Sequence, residues 1–329
     1  MNAKAQRCPP IIPKSTPPCE PAYRAHKHRA RARLRFIARL LVSNILLLAG
    51  LTATSSAQTG LAKAWPAFYR GEYAVAASAF AHAATQNATR LEALVGQSLA
   101  LEELGHYQAC RELLSAAHAK QPEAQLVQRL GELELFLGNQ SAALRCFEEA
   151  LRLAPELRAA QFYHAAINWQ RGERTSSRRT LQALHEAYRK EKNLTAHEIH
   201  LLARACAYLE KFQDANRLFT EAVKMQPEDW RLYLPWGELF LEKYNLPEAQ
   251  SVFVDALKRN PNCGPALLGL ARTQAGGDLE QALKTAESAL KLNPTSPATR
   301  TLIAELFLAA NKEEEAATKI AEVMAEFAS

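Results

Sequence analysis

The fold is decided by Ala143-Leu-Arg-Cys-Phe147-Glu-Glu-Ala150, whose order of Ala, Phe and Ala returns at two later places. The returns are Ala215-Asn-Arg-Leu-Phe219-Thr-Glu-Ala222 and Ala249-Gln-Ser-Val-Phe253-Val-Asp-Ala256. Prolines recur with the same period, 33, 72, 34 and 33 residues apart, at Pro122, Pro155, Pro227, Pro261 and Pro294. The gap of 72 holds one further unit that lacks its proline. A fixed period of this length indicates stacked copies of one small structural unit.

Each unit has the pattern of two helices. Apolar residues recur at helical spacing over runs of roughly 12–15 residues, and Ala, Leu and Glu favour helix over sheet. The earlier helix carries a large residue followed by a small one, at Leu130-Gly131, Leu202-Ala203, Trp236-Gly237, Leu270-Ala271 and Ile303-Ala304. We expect the small residue to let the two helices lie close together, with the Phe of the second helix filling the space between units.

This combination resembles the tetratricopeptide repeat family, whose 34-residue helix-turn-helix unit has the large–small pair in helix A, Ala-x3-Phe-x2-Ala in helix B and a Pro at its end. The resemblance implies an all-α solenoid over residues 58–329 that forms a right-handed superhelix. The third, fifth and sixth units match best, and the first and fourth are degenerate. We divide the chain into eight units at 57–90, 91–123, 124–157, 158–195, 196–229, 230–263, 264–296 and 297–329.

The turn residues predict where helices begin. Asn245 and Asn311 are expected to cap the helix B that follows each of them, because a Glu stands three residues further on in both cases. Asp278 has Gln281 in the same relation.

The first 57 residues differ from the rest. We predict that residues 1–33 form a disordered, basic, proline-rich leader and that residues 34–57 form a signal peptide or signal anchor. Residues 1–57 hold ten Lys or Arg and one acid, Glu20. The basic run is followed by an apolar run from Leu40 to Leu51 and by small residues that end at Ala57. This order is typical of a secretory signal.

Two outcomes are open for that segment. One is cleavage after Ala57, and the other is retention of residues 40–59 as a membrane anchor. The positive charge precedes the apolar run in both cases, so we expect the solenoid to lie outside the cytoplasm, in the periplasm or secreted.

The charge of the solenoid argues against nucleic acid as a partner. The full chain has 40 basic and 34 acidic residues, which leaves 30 basic and 33 acidic residues for 58–329. A protein that binds nucleic acid is expected to show a basic stripe on its folded part.

The resemblance also implies where a partner would bind, because helix A residues line the concave groove in this family. Transferring those positions to this sequence predicts a partner-binding groove at Gln128, Phe136, Phe162, Trp169, His200, Arg204, Tyr208, Arg231 and Glu238. Aromatic and Arg side chains carry much of the binding energy of interfaces. We expect an extended peptide with apolar and acidic side chains. The alternative is that Phe162 and Trp169 simply pack within the degenerate fourth unit.

We predict no cofactor and no metal. The segment His197-Glu198-Ile199-His200 departs from the zinc-protease pattern H-E-x-x-H, because Leu201 stands where the second His belongs. The solenoid has four cysteines without a C-x-x-C pair: Cys110, Cys146, Cys206 and Cys263. Export would permit two disulfides, but we favour buried packing of free thiols.

The sequence therefore predicts a non-catalytic scaffold or adaptor that binds a protein or peptide partner in its groove. The alternative is a structural subunit of an envelope complex that docks through its C-terminal face, with Ile320, Val323, Met324 and Phe327. A third class, an enzyme acting on carbohydrate or peptide, would require turnover by the purified protein.

Overall fold

The computed structural model describes residues 60–191 and 193–327, and that part of the chain is helical, without strands. The predicted leader, signal segment, anchor and cleavage site lie outside the described residues. The sixteen helices are α1 (60–69), α2 (Tyr73–Ala83), α3 (Arg90–Glu103), α4 (Tyr107–Lys120), α5 (Ala124–Phe136), α6 (Gln140–Leu153), α7 (Arg158–Gln170), α8 (Arg174–Lys190), α9 (Ala196–Tyr208), α10 (Phe212–Met225), α11 (Leu234–Glu242), α12 (Leu246–Arg259), α13 (Gly264–Gln274), α14 (Leu279–Leu292), α15 (Pro297–Ala309) and α16 (Glu313–Phe327). A short 3-10 turn, Trp230–Leu232, precedes α11.

The helices form eight hairpins, one for each predicted unit. The odd-numbered helices are helix A and the even-numbered ones helix B. From α2 to α10 and from α11 to α16 each helix packs against the next, and the 3-10 turn at Trp230–Leu232 contacts both α10 and α11. Helices A of neighbouring units also touch, as α3 does with α5 and α13 with α15. This is a solenoid, because each hairpin buries its apolar face against its neighbours.

The expected helix caps are partly present. The Asp278 side chain accepts a hydrogen bond from the Gln281 backbone N–H at 2.9 Å, as predicted. The prediction for Asn245 and Asn311 is wrong. Asn245 precedes α12 without a capping hydrogen bond, and Asn311 has φ +58°, the left-handed conformation that ends α15. Asn tolerates that conformation better than most residues, so here it terminates helix A instead of starting helix B.

The recurring spacing of Gly and Phe produces close helix contacts, as predicted. Phe253 of α12 lies between Gly237 of its own helix A and Gly269 of the next one. A Cβ atom would come within 2.6 Å of the Phe253 ring at Gly237 and within 2.3 Å at Gly269. At Gly131 it would come within 2.9 Å of Phe147. The small residues therefore leave the space that the Phe rings fill.

We predict that Gly269→Ala lowers the free energy of unfolding by about 1–2 kcal/mol. Alanine in a helix interior gains about 0.5–1 kcal/mol over glycine, but overpacking a core costs about 1–3 kcal/mol, and Phe253 has Gly237 on its other side. Urea unfolding measures the change. Gly264→Ala in the same helix is the control, since no atom lies within 4 Å of its added Cβ. If combining Gly269→Ala with Phe253→Leu recovers none of the loss, the clash is not the cause.

The solenoid meets itself, because the first unit packs against the sixth and seventh. Phe68 of α1 stacks on Trp230 with 5.8 Å between ring centroids, and both side chains are buried. They belong to one apolar cluster that also contains Tyr73, Phe80 and Cys263. We call the contact of the first two units with the sixth and seventh units the clasp.

Two equivalent polar contacts complete the clasp. The Asn260 side-chain amide donates to the Tyr73 hydroxyl at 2.7 Å, and the Asn293 amide donates to the Tyr107 hydroxyl at 2.8 Å. Tyr73 and Tyr107 begin helix B of units one and two, and each Asn follows a later helix B and precedes a Pro. The clasp is therefore itself periodic. It joins the first two units to the sixth and seventh, and we call the turn of the solenoid that it completes the ring.

The cysteines of the described residues are free. Cys110, Cys206 and Cys263 are buried, and Cys146 is half-buried. Burial raises the pKa of the Cys110 thiol to about 11, so this group packs as a neutral side chain.

Candidate functional site

The concave side of the ring forms an open cavity of about 1410 Å³. All eight units contribute to its lining, from Trp65 of the first to Thr299 of the last. The side chains come largely from the helices A, because these lie on the inner side of each hairpin.

One side of the cavity is acidic. Helix α3 contributes Glu92, Glu102 and Glu103, and α5 contributes Glu132. The buried Arg129 guanidinium forms ion pairs with Glu102 and with Glu132, the latter at 3.4 Å.

Two of these carboxylates, Glu92 and Glu103, have no cation within ion-pair distance among the described residues. Glu92 accepts a hydrogen bond from the neutral Trp65 indole at 2.7 Å. Glu103 is half-buried. Burial, followed by repulsion from Glu102, raises the pKa of Glu103 to about 8.

The other side of the cavity is basic and aromatic. Arg204 of α9 donates a hydrogen bond to the Tyr163 hydroxyl at 3.0 Å. Its guanidinium lies 4.5 Å from the Phe162 ring centroid and 4.9 Å from that of Tyr163. No carboxylate of the described residues lies within ion-pair distance of Arg204, so its charge is compensated mainly by aromatic faces.

His200, one helical turn before Arg204, is neutral. Its Nε2 atom is buried without a hydrogen-bond partner in the described residues, and the ring packs edge-on against Phe219 at 5.4 Å. Burial, followed by repulsion from Arg204, lowers the pKa of His200 well below its usual range.

Arg231 connects the cavity to the clasp. Its guanidinium lies 5.5, 5.2 and 5.8 Å from the ring centroids of Trp65, Phe68 and Tyr69. The same group pairs at 2.5 Å with the fully buried Asp229 carboxylate, which also lies 3.0 Å from His197. Burial alone would raise the pKa of Asp229, but the charge and hydrogen bonds of Arg231, aided by His197, hold it below its usual range.

We predict that Asp229→Asn lowers the free energy of unfolding at pH 7 by about 3 kcal/mol, because removing one partner strands the other charge in the core. The folded pKa of Asp229 lies below 3.8, its unperturbed value. The stabilisation is thus present above pH 3.8 and lost as the pH falls further. Urea unfolding from pH 7 downward should show the wild type and variant converging. Asp255→Asn, which breaks an exposed pair with Lys258, should have an effect below about 1 kcal/mol. An equal loss in both variants would contradict the prediction.

The structure separates the nine predicted groove residues into two sets. Five line the cavity: Gln128, Phe136, His200, Arg204 and Arg231. The other four lie outside that lining: Phe162, Trp169, Tyr208 and Glu238.

The second set has local partners. Phe162 is fully buried, and Tyr208 touches both Phe162 and Trp169 edge-on, at 5.9 and 6.1 Å. Arg174 and Arg178 cover the Trp169 ring. Glu238 pairs with Arg272 at 3.2 Å. The packing alternative for Phe162 and Trp169 matches these contacts.

Several cavity residues were absent from the predicted set. Trp65 and Tyr69 of the first unit and Trp230 of the sixth reach the cavity because the clasp brings them together. Arg129 was also absent from the predicted set, although a charged residue on the inner side of a helix A is a usable sign of a cavity residue. It directly follows the predicted Gln128 in α5, and the residue is only 4% exposed.

The two histidines near the cavity are not arranged as a metal site. His197 contacts Asp229, whereas the Nε2 atom of His200 is buried without a hydrogen-bond partner in the described residues. In the described ranges no group of three or more His, Cys, Asp or Glu side chains could hold a metal ion.

A second cluster has the residue types of a cysteine nucleophile. Cys206 Sγ lies 3.1 Å from His185 Nδ1, and His185 Nε2 lies 3.9 Å from Asp214. However, Cys206 is fully buried, and burial, followed by the charge of Asp214, raises the pKa of its thiol to about 11. A buried neutral thiol of this kind is a packing group, since the thiolate is the nucleophile.

Comparison with known families and structures agrees with the hairpin geometry. One tetratricopeptide repeat model matches residues 124–157, and a second matches residues 200–249 and 274–329. A comparison with curated proteins finds no match.

Solved structures with a similar helical fold are also found. The Cut9–Hcn1 hetero-tetramer of the APC/C is 19% identical over 81% of this chain, with a TM-score of 0.52, and the chain spans about half, 52%, of that protein. A tetratricopeptide repeat protein from Parabacteroides merdae is 15% identical over 77% of this chain and 99% of its own, with a TM-score of 0.46. Yeast Tom70 is 18% identical over 76% of this chain and 56% of its own, with a TM-score of 0.45. From its repeats, its helical hairpins and the two family models, this chain belongs to the tetratricopeptide repeat proteins.

Proposed function

We propose that this protein is a non-catalytic scaffold that binds an extended segment of a partner protein inside the cavity of the ring. Tetratricopeptide solenoids serve as platforms for protein–protein interaction. The observation that carries the proposal is the cavity itself, which combines apolar walls with the exposed ring of Phe136 and with Arg204, a cation without a carboxylate at ion-pair distance in the described residues. Its volume of about 1410 Å³ exceeds the roughly 300–1,000 Å³ of small-molecule pockets, which favours a peptide.

Affinity capture tests the proposal. The full chain and a Phe136→Ser/Arg204→Gln variant are used to capture partners from an extract of the source cell envelope. We expect a partner that the wild type holds and this variant loses. Tyr244→Ser is the matched control, because Tyr244 is 90% exposed and does not line the cavity. A partner held equally by all three proteins would contradict binding in the cavity.

The second candidate is a structural subunit that docks through its C-terminal face. Helix α16 leaves Ile320 46% and Met324 64% exposed, and large apolar side chains at this exposure favour a contact surface. Val323 and Phe327 are also predicted for this face, but their side chains are not among those that the structure describes. Loss of the captured partner in Ile320→Ser/Met324→Ser, with the cavity variant unaffected, would favour this candidate.

The proposed site of action is outside the cytoplasm, either secreted or anchored at residues 40–59. It rests on the order of charge, apolar run and small residues before residue 58. In the described part of the chain no helix is both long and apolar enough to cross a membrane. Digestion of the full chain by added protease in intact cells and in opened envelopes tests the proposal. The proposal is contradicted if the protein stays protected from protease after the envelope is opened and is recovered in the cytoplasmic fraction.

A further inference from the structure

The cavity contains an acidic group, Glu103, and a basic group, Arg204, that have no ion-pair partner of opposite charge within the described residues. Glu102 and Glu132 share the Arg129 guanidinium, whereas Glu103 has no hydrogen bond or ion pair within the described residues. Across the cavity, Arg204 has a tyrosine hydroxyl as its hydrogen-bond partner. Both side chains line the same cavity and come from different helices, α3 and α9.

Such an arrangement costs stability in the free protein. A charge moved out of bulk water is disfavoured unless an opposite charge or hydrogen bonds replace the water. Arg204 is partly stabilised by the faces of Phe162 and Tyr163, which still leaves guanidinium N–H groups for an anion. Glu103 has a neighbouring carboxylate, Glu102, which adds repulsion.

We propose that the cavity selects a partner segment carrying both a basic and an acidic side chain, with the basic one at Glu103 and the acidic one at Arg204. This inference rests on the proposed function, because it specifies the peptide that the cavity would bind. A basic side chain supplies the cation that Glu103 lacks, and a carboxylate can accept two N–H groups of Arg204. Opposite charges at two fixed places also set the direction in which the segment lies.

The environment of Glu103 gives this inference a distinctive pH dependence. The titratable and charged groups that influence it are on its own helix and on the elements around it: Glu102, Tyr73, Tyr107, Arg129, Arg231 and Cys263. The pKa of Glu103 is raised to about 8, so about a tenth of the molecules carry the carboxylate at pH 7 and about nine tenths at pH 9. A bound arginine requires the carboxylate, so its affinity should rise about tenfold over this range.

Fluorescein-labelled eight-residue peptides provide the test. One set carries an Arg and a Glu separated by one to five Leu or Ala residues, in both orders. Three further sets are Arg-only, Glu-only and neutral. We expect the full chain to bind the best mixed peptide at least about tenfold more tightly than any single-charge peptide, as for one strong charge-assisted contact.

Variants assign the two charges. Glu103→Gln should lower the affinity for the mixed peptide to that for the Glu-only peptides. It should also remove the rise in affinity between pH 7 and pH 9. Arg204→Gln should lower the affinity for the mixed peptide to that for the Arg-only peptides. Glu149→Gln, on the outer face of α6 and paired with Arg152, should change neither preference. The readout is the ratio between peptides within each variant, so a general loss of stability does not imitate the result.

Two outcomes would overturn the inference. If neutral peptides bind as well as mixed ones, the cavity binds peptides without selecting charge, and only this inference fails. If no peptide binds at any pH, the proposed function fails with it.

Discussion

Replacing Trp230 with alanine is expected to lower the free energy of unfolding by about 4 kcal/mol and to release the first unit from the ring. Trp230 is 1% exposed, and truncating a buried Trp costs about 3–5 kcal/mol. Its ring stacks on Phe68 of the first unit, so the loss falls on the clasp. Urea unfolding measures the stability, and hydrogen exchange of the amides in α1 and α2 measures release of the first unit.

Trp169→Ala is the matched control for Trp230→Ala. Trp169 is half-buried and packs within the fourth and fifth units, away from the clasp. It should lose less stability and leave exchange in α1 and α2 unchanged. Unchanged exchange in Trp230→Ala would show that the clasp does not hold the first unit.

Glu103→Gln is expected to raise the free energy of unfolding at pH 7 by about 1–3 kcal/mol. The pKa of Glu103 is raised from 4.5 to about 8 in the folded chain, so folding favours the protonated carboxyl. Each pH unit by which the solution pH exceeds the pKa of the unfolded state costs about 1.4 kcal/mol. Partial exposure of Glu103 to the cavity reduces this effect. Gln keeps the shape of the protonated acid without the charge.

The pH dependence provides the decisive measurement for this variant. The contribution of Glu103 is fully favourable below pH 4.5 and is lost as the pH rises to about 8. The wild type should therefore lose stability over this range relative to Glu103→Gln. Glu156→Gln, an exposed acid at the rim of the cavity, should follow the wild type. A destabilised Glu103→Gln would mean that the carboxylate makes a favourable contact in the free protein.

The repeat architecture could be predicted from sequence because its constraints are local and recur. Phe253 needs small residues beside it, and Gly237 and Gly269 stand at fixed distances along the chain. The helix count and the hairpin units follow from such patterns. The capping role of Asn245 and Asn311 could not be predicted, because Asn suits both ends of a helix.

The site could be predicted only in part. Arg204 and Phe136 were identified because they lie on the inner side of a helix A, which the family pattern locates. Phe162 and Trp169 come from the degenerate fourth unit, where position in the repeat does not determine which way a side chain points. Tyr73 and Asn260 are 187 residues apart, and no period of the sequence states which distant units meet.

The clasp also has a consequence for how the chain folds. In an open array of repeats each unit depends only on its neighbours, so folding can begin anywhere and the ends can open independently. Here a tyrosine must find an asparagine 187 residues away, and contacts over such separations slow folding. We expect the chain to fold more slowly than an open array of equal length, and its first seven units to unfold together instead of opening from the N-terminal end.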